Sequence, residues 1–223
     1  VLIAEIGNNH FGDFDQAKEL IRVANECGAD LIKSQAFRAD DISQGSMPRE
    51  FYSQCEFSVE MYLELIDYAR SIGNDLFYSI FSPGMEIIAA TQNWRKVAGS
   101  QTRMGYLTMA DDADNLIVSV PITAPVPKFK KASVLHVSEY LTTSPNLWHI
   151  QTLTDHTGRQ AGYSDHTIGV DACKRAFNIF GCQVIEKHFC LEKNVSFRGT
   201  VYRDTQHGAT PHEFVSLARE MSK

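Results

Sequence analysis

The chain has 223 residues, 43% of them hydrophobic and 22% charged, which is enough apolar material for one sizeable core in an ordinary globular protein. Its formal net charge of -6 and the absence of a long Lys/Arg run argue against a nucleic-acid or anionic-membrane partner, which needs a concentrated positive surface; a small metabolite is the expected partner. No apolar run approaches the ~20 residues that span a bilayer, the start lacks a secretory pattern, and Cys27, Cys55, Cys173, Cys182 and Cys190 form no Cys-x-x-Cys pair, so they read as buried thiols of a cytoplasmic protein.

Short apolar runs rich in β-branched residues alternate with segments of helical period, the pattern of parallel strands joined by crossover helices. The first strand is predicted at Leu2–Ile6. A helix follows over Phe14–Cys27, striped by Ala17, Leu20, Ile21 and Ala24 and closed by Gly28, where a C-cap favours positive φ. The second strand is predicted at Asp30–Gln35, then a helix over Ser58–Ile72 closed by Gly73. The third strand is Asp75–Phe81, with a helix over Gly84–Gln92, and the fourth is Trp94–Ala98. Between Thr102 and Asp114 only a short helix fits before a fifth strand at Leu116–Val120. Residues Ile122 to Lys131 follow Pro121 directly, contain two further prolines and carry no apolar stripe, so that crossover is expected to be a loop. The sixth strand is Ser133–Ser138, the seventh Ala161–Asp165 and the eighth Gln183–Phe189. Helices are predicted at Pro145–Thr154, Gly169–Phe180 with Gly181 as its cap, and Pro211–Met221. Eight strands predict an α/β protein, a (β/α)8 TIM barrel shortened from the usual ~250 residues, with a reduced crossover between strands 5 and 6.

A barrel interior normally holds Val, Ile and Leu, so polar residues on its inward face call for a reason. Side chains alternate along a strand. Lys33 and Gln35 therefore share one face, Glu186 and His188 another, and Ser164 and His166 a third, all at the C-terminal ends where barrel enzymes place their chemistry. The first strand brings Glu5 and the polar loop Gly7-Asn8-Asn9-His10 to the same rim. His166 and His188 on neighbouring strand ends suit a divalent transition ion, with positions left for water or substrate. Lys33 and Lys96 either bind an anionic substrate or are buried ion-pair partners of Glu5 or Glu186. His136, His149, His156, His207 and His212 have no patterned partner and read as surface or packing residues. Phe77 and Phe81 read as core.

Four ordered stretches together resemble the N-acetylneuraminate (sialic acid) synthase family. They are Ala4-Glu5-Ile6-Gly7-Asn8-Asn9-His10-Phe11-Gly12-Asp13, Gly28-Ala29-Asp30-Leu31-Ile32-Lys33-Ser34-Gln35, Gly162-Tyr163-Ser164-Asp165-His166-Thr167-Ile168-Gly169 and Val184-Ile185-Glu186-Lys187-His188-Phe189. The resemblance implies an enzyme that condenses phosphoenolpyruvate with an amino-sugar aldehyde, N-acetylmannosamine or a related N-acetylated hexosamine, giving a nine-carbon 2-keto sugar acid and phosphate. It implies a divalent ion, manganese (Mn2+) with magnesium or cobalt as alternatives, held by His166 and His188. It implies that Lys33, Lys96, Ser119 and Ser164 grip phosphoenolpyruvate, that Glu5, Gln35 and Tyr140 orient the sugar, and that Glu186 sits beside ion and substrate. Glu5, Glu186 and Lys33 are the catalytic candidates of that set. A homodimer is compatible with it.

The chain departs from the family at three places. Lys96-Val97-Ala98-Gly99-Ser100-Gln101 replaces a pattern with a hydroxyl and an acid. Ile80 stands where many members have a phosphate-binding Thr, which predicts weaker phosphate affinity. The stretch Asn194 to Ala209 lacks a Gly-Pro-Asp-His sequence, although Arg203, Asp204 and His207 offer comparable chemistry. The C-terminal antifreeze-like domain of the family is expected to be absent, leaving residues 1–223 as a single synthase barrel. Two other readings compete: a metal-dependent aldolase or hydrolase acting on sugars, which Ile80 and Gly99 favour, and a non-catalytic barrel.

Overall fold

The computed structural model describes residues 1–42, 46–103, 112–126 and 128–223. Eight parallel strands close into a barrel in chain order: β1 (Leu2–Gly7), β2 (Leu31–Ala36), β3 (Leu76–Ile80), β4 (Arg95–Val97), β5 (Leu116–Pro121), β6 (Ser133–Val137), β7 (Gly162–Asp165) and β8 (Ile185–His188). The ring shuts where Leu2 to Glu5 pair with Ile185 to His188. Each predicted strand exists. The class and the shortened crossover also stand: between β5 and β6 the described residues form a turn and loop, with no helix.

The helices are α1 (Phe14–Glu26), α2 (Arg49–Cys55), α3 (Val59–Ser71), α4 (Glu86–Thr91), α5 (Gly99–Arg103), α6 (Trp148–Thr157), α7 (Asp171–Phe180), α8 (Arg203–His207) and α9 (Pro211–Met221). Their ends follow local chemistry. Asp13 caps α1 by accepting from the Gln16 amide, Ser58 caps α3 by accepting from Met61, and Thr210 with Glu213 forms a capping box around α9, each satisfying amides that the first turn leaves open. Helix α6 runs later than predicted. Residues 145–147 form a turn, and the helix stops only where Gly158 adopts φ 69°. The short helix expected within Thr102 to Asp114 falls largely outside the described residues; α5 precedes most of that interval.

Two apolar layers hold the barrel together. The outer one fills the space between strands and helices, with Ala4, Ile32, Tyr78, Val118, Val134, Tyr163 and Ile185 meeting Leu20, Leu65, Ile150 and Ala176. The inner one plugs the lower barrel with Ile3, Leu31, Phe77, Ile117 and Leu135, against which Trp94 and Val184 pack. Gly162 belongs to this layer for lack of room: a Cβ there would lie 2.4 Å from both Leu135 Cδ2 and the Val184 carbonyl oxygen.

Some features carry no periodic signal. Helix α2 has only Phe51 and Cys55 buried in seven residues, too few for a stripe. It nevertheless anchors an aromatic cluster over one side of the rim, where Phe51 meets Phe11, Tyr52, Phe197 and Tyr202. The small hairpin β9 (Ser196–Phe197) and β10 (Thr200–Val201), followed by α8, also lies after β8. Phe81 packs partly buried against this rim cluster rather than in the main core. The five cysteines are free and buried. Among the described residues no helix is long and apolar enough to cross a membrane.

Candidate functional site

Counting two residues onward from the inner apolar layer changes the chemistry of the barrel. Ile3 leads to Glu5, Leu31 to Lys33, Phe77 to Ser79, Trp94 to Lys96, Ile117 to Ser119, Gly162 to Ser164 and Val184 to Glu186; only Leu135 leads to an apolar residue, Val137. Because a strand returns to the same face every second residue, these side chains form one polar ring above the plug. The four charged members are all buried.

Charge in such a place persists only where it is paired. Glu5 and Lys33 stand opposite one another in the β1–β2 ladder and form an ion pair, and Glu5 Oε1 also accepts from the Gly7 amide at 2.6 Å. Lys96 Nζ donates to Ser119 Oγ and to Glu186 Oε2, each at 2.8 Å, and Ser164 Oγ donates to Glu186 Oε1 at 2.8 Å. Burial works to raise the Glu186 pKa, but Lys33 and Lys96 outweigh it and hold the carboxyl below its ordinary range. Burial lowers both lysines, against the pull of Glu186. Two cations thus face two anions. Of the two alternatives for the lysines, the buried ion pair is present: Lys33 pairs with Glu5 and Lys96 with Glu186.

Ser79 joins this ring without having been anticipated. It is fully buried, its hydroxyl has no partner, and it stands in register with Lys96. Ile80, by contrast, packs against the outer core. At the position matched to a phosphate-binding Thr, the Ile80 side chain packs on the outer core, and the neighbouring inward residue is Ser79. The Gln101 side chain, near the missing family acid, donates to the Ile80 carbonyl and accepts from the Ala98 amide, closing the loop after β4.

Above the charged ring lie the imidazoles. His166 follows β7 directly, and its Nδ1 lies 3.2 Å from the Ser138 carbonyl oxygen while its amide donates to Ser138 Oγ at 2.8 Å. A carbonyl can only accept, so the ring proton sits on Nδ1 and Nε2 keeps its lone pair. His188 ends β8, opposite Glu5 in the ladder, with Nδ1 buried, unpartnered and 3.8 Å from Asp204 Oδ2. The reading of His207 as a surface or packing residue is corrected. It is fully buried beside the other two, and a ligand atom from each of His166, His188 and His207 lies within 4.8 Å of the others. Burial, then the neighbouring His188, lowers His166 to about 3; burial, then Lys33, lowers His188 to about 3; burial and His188 lower His207 as well. All three are neutral near pH 7, the state in which imidazole ligates. Nothing in the sequence spacing pairs His207 with the others, because the loop carrying it folds back over the rim.

The remaining candidates occupy the mouth. Gln35 is half-buried and accepts from Asn8 Nδ2 at 3.3 Å. Tyr140 is 46% exposed and covers His166 at a centroid distance of 4.3 Å, with the Arg203 guanidinium 3.9 Å over the same ring. Asp204 is buried, accepts from Tyr202 at 2.7 Å and lies 3.5 Å from where a Cβ would stand on Gly7. His10 lies elsewhere, stacked on Phe57 at 4.5 Å. His136 and His149 are buried packing residues, their Nδ1 atoms 3.0 Å apart.

One buried charge is structural. Lys187, on the outer face of β8, contacts Asp165 Oδ2 at 2.7 Å with both side chains fully buried. Asp165 further accepts from Tyr163 and from Thr167. That pair ties β7 to β8 behind the histidines.

A barrel with this rim has recognisable relatives. An uncharacterized protein of Methanocaldococcus jannaschii is 32% identical over 240 residues, covering 99% of this chain and 69% of that protein. The NeuB family profile matches residues 128–223. The chain belongs to the NeuB family. Within it, the N,N'-diacetyllegionaminic acid synthase of Legionella pneumophila is 29% identical over 231 residues, 87% of this chain and 65% of the relative. The chain thus spans about two thirds of the length of these relatives. The crystal structure of an N-acetylneuraminic acid (sialic acid) synthetase from Leptospira borgpetersenii in complex with citrate superposes with a TM-score of 0.84 at 25% identity, over 99% of this chain and 82% of that one.

Proposed function

We propose that the barrel condenses phosphoenolpyruvate with the open-chain aldehyde of an N-acetylated hexosamine, giving a 2-keto sugar acid and phosphate. The observation that carries this reading is the ring of Lys33, Lys96, Ser79, Ser119 and Ser164 beneath the imidazoles. Two ammonium groups and three hydroxyls are buried on the one inward face of the barrel, a donor set that suits the phosphate and carboxylate of a small dianion or trianion. Glu5 and Glu186 keep those lysines neutralised until such an anion arrives. Gln35 and Tyr140 at the mouth, with Glu5 below them in the charged ring, would orient the acceptor sugar.

The reaction forms a C–C bond between C3 of phosphoenolpyruvate and the aldehyde carbon. Water adds its oxygen at C2, and the C2–O bond to phosphate then breaks. In that sequence the lysines hold the anion in line, and orientation of two substrates at contact distance is the main source of acceleration. Glu186, kept ionised, is a proton acceptor and not a donor near neutral pH. Enclosure by the rim aromatics limits stray water.

A divalent ion fits the imidazoles: His166 offers a free Nε2, and His188 has a buried nitrogen with no partner. His166 and His188 would hold it. When bound, such an ion supplies Lewis-acid polarisation of the aldehyde. The aldolase or hydrolase alternative loses one support, because Ile80 does not face the barrel interior.

Phosphate release from phosphoenolpyruvate in the presence of manganese, with and without a panel of N-acetylated hexosamines beginning with N-acetylmannosamine, tests the proposal. Release that depends on a sugar is expected and identifies the acceptor. Metal-loaded protein that releases none with any sugar would overturn it.

A further inference from the structure

The buried, unpartnered His207 has no place in the reaction outlined above. Both of its ring nitrogens are shielded and neither has a hydrogen-bond partner, although leaving a single buried polar group unsatisfied costs about 1–3 kcal/mol. Packing alone does not explain an imidazole where an apolar side chain would carry no such cost.

Main-chain bonds fix its position. After β8 the chain leaves the barrel and returns as α8, whose Asp204 carbonyl accepts from the Gly208 amide at 2.9 Å. Ala209 then bridges alongside Phe189, its amide donating to the His188 carbonyl at 2.6 Å and its carbonyl accepting from Cys190 at 3.0 Å. Gly208 allows this close return, since a Cβ there would lie 2.9 Å from Cys190 Sγ and 2.8 Å from the Asp204 carbonyl oxygen. Thr205 Oγ1 adds bonds to the Tyr202 carbonyl at 2.7 Å and from the Val195 amide at 3.0 Å. The returning segment is thereby stitched to the end of β8. His207 reaches His188 with a ring-centroid distance of 4.7 Å and His166 with 5.3 Å.

We infer that His207 is a third protein ligand to the ion held by His166 and His188, so that the loop after β8 completes a three-imidazole site for a first-row divalent cation. This rests on the metal reading of the preceding subsection and extends it. Three neutral nitrogens occupy one side of the coordination sphere and leave the other for water or substrate. The site is correspondingly tighter than a two-histidine one, and its affinity rises from manganese to cobalt.

Pulsed electron paramagnetic resonance on the manganese-loaded full chain counts the coupled imidazole nitrogens directly; three are expected. Manganese titration by calorimetry is run beside it on the parent, His188→Ala and His207→Gln, with circular dichroism confirming the fold. His207→Gln should keep one ion per chain and weaken it at least about 10-fold. Two couplings in the parent, together with parent affinity in His207→Gln and none in His188→Ala, would overturn the role of His207 and leave the two-histidine site standing. A parent chain that takes up no manganese at millimolar supply would overturn both. If His207→Gln does not fold, the nitrogen count in the parent decides alone.

Discussion

Substituting Glu186→Gln tests the electrostatic core of the site, because it removes one charge while nearly preserving shape. Glu186 is 6% exposed and accepts from Lys96 Nζ and Ser164 Oγ at 2.8 Å. Without its charge, two buried lysines face the single carboxylate of Glu5. Breaking a buried pair from one side costs about 3–5 kcal/mol. With an unfolding entropy of ~2.1 cal/mol/K per residue, a chain of 223 residues loses about 1 °C of Tm for every ~0.5 kcal/mol, so a fall of roughly 6–10 °C is expected. Circular dichroism melts in EDTA keep metal binding out of the comparison. Phosphoenolpyruvate at ~100 times its Kd should restore about 2.7 kcal/mol, roughly 5 °C by the same conversion, as its anionic groups meet the freed lysines. A Tm within 2 °C of the parent would refute the claim that the Glu186 charge balances buried Lys96.

On the opposite face of β8, Lys187→Met strands the fully buried Asp165 and should cost about 3–5 kcal/mol. The double change Asp165→Asn with Lys187→Met should recover much of that loss; denaturant melts showing less than about 1 kcal/mol for the single variant would contradict the assignment. Acid should destabilise the metal-free protein early. Burial lowers His166 and His188 to about 3 and His10 and His136 to about 4, so below pH 6.5 the unfolded chain binds protons that the native state refuses. Stability then falls by about 1 kcal/mol per pH unit for each such histidine between pH 6.5 and about 4. A Tm that stays level from pH 7 to pH 5 would show that these imidazoles are not held neutral.

Much of the site was readable from strand alternation. Once the strands at Leu31, Gly162 and Ile185 are located, Lys33, Ser164 and Glu186 can only point inward, because their neighbours Ile32, Tyr163 and Ile185 must face the helices. The same alternation, counted from Phe77, turns Ser79 inward and Ile80 outward, whereas a motif match carries no such register. Lys187 was also within reach of the rule, which sends it outward, but the rule says nothing about a carboxylate waiting there.

The amino-acid sequence by itself determined the eight strands, the shortened crossover after β5 and the polar face that ends most of the strands, since these follow from short-range periodicity and turn chemistry. Only the tertiary structure decided which charges pair, which hydroxyl is left free and where His207 goes. Lys33 meets Glu5 through the β1–β2 register, whereas closure of the barrel brings Glu186 of β8 to Lys96 of β4 across 90 residues. His207 arrives through an irregular loop whose path is set by main-chain bonds to β8 and by aromatic packing on α2. Contacts of that kind have no period, and so no local pattern announces them.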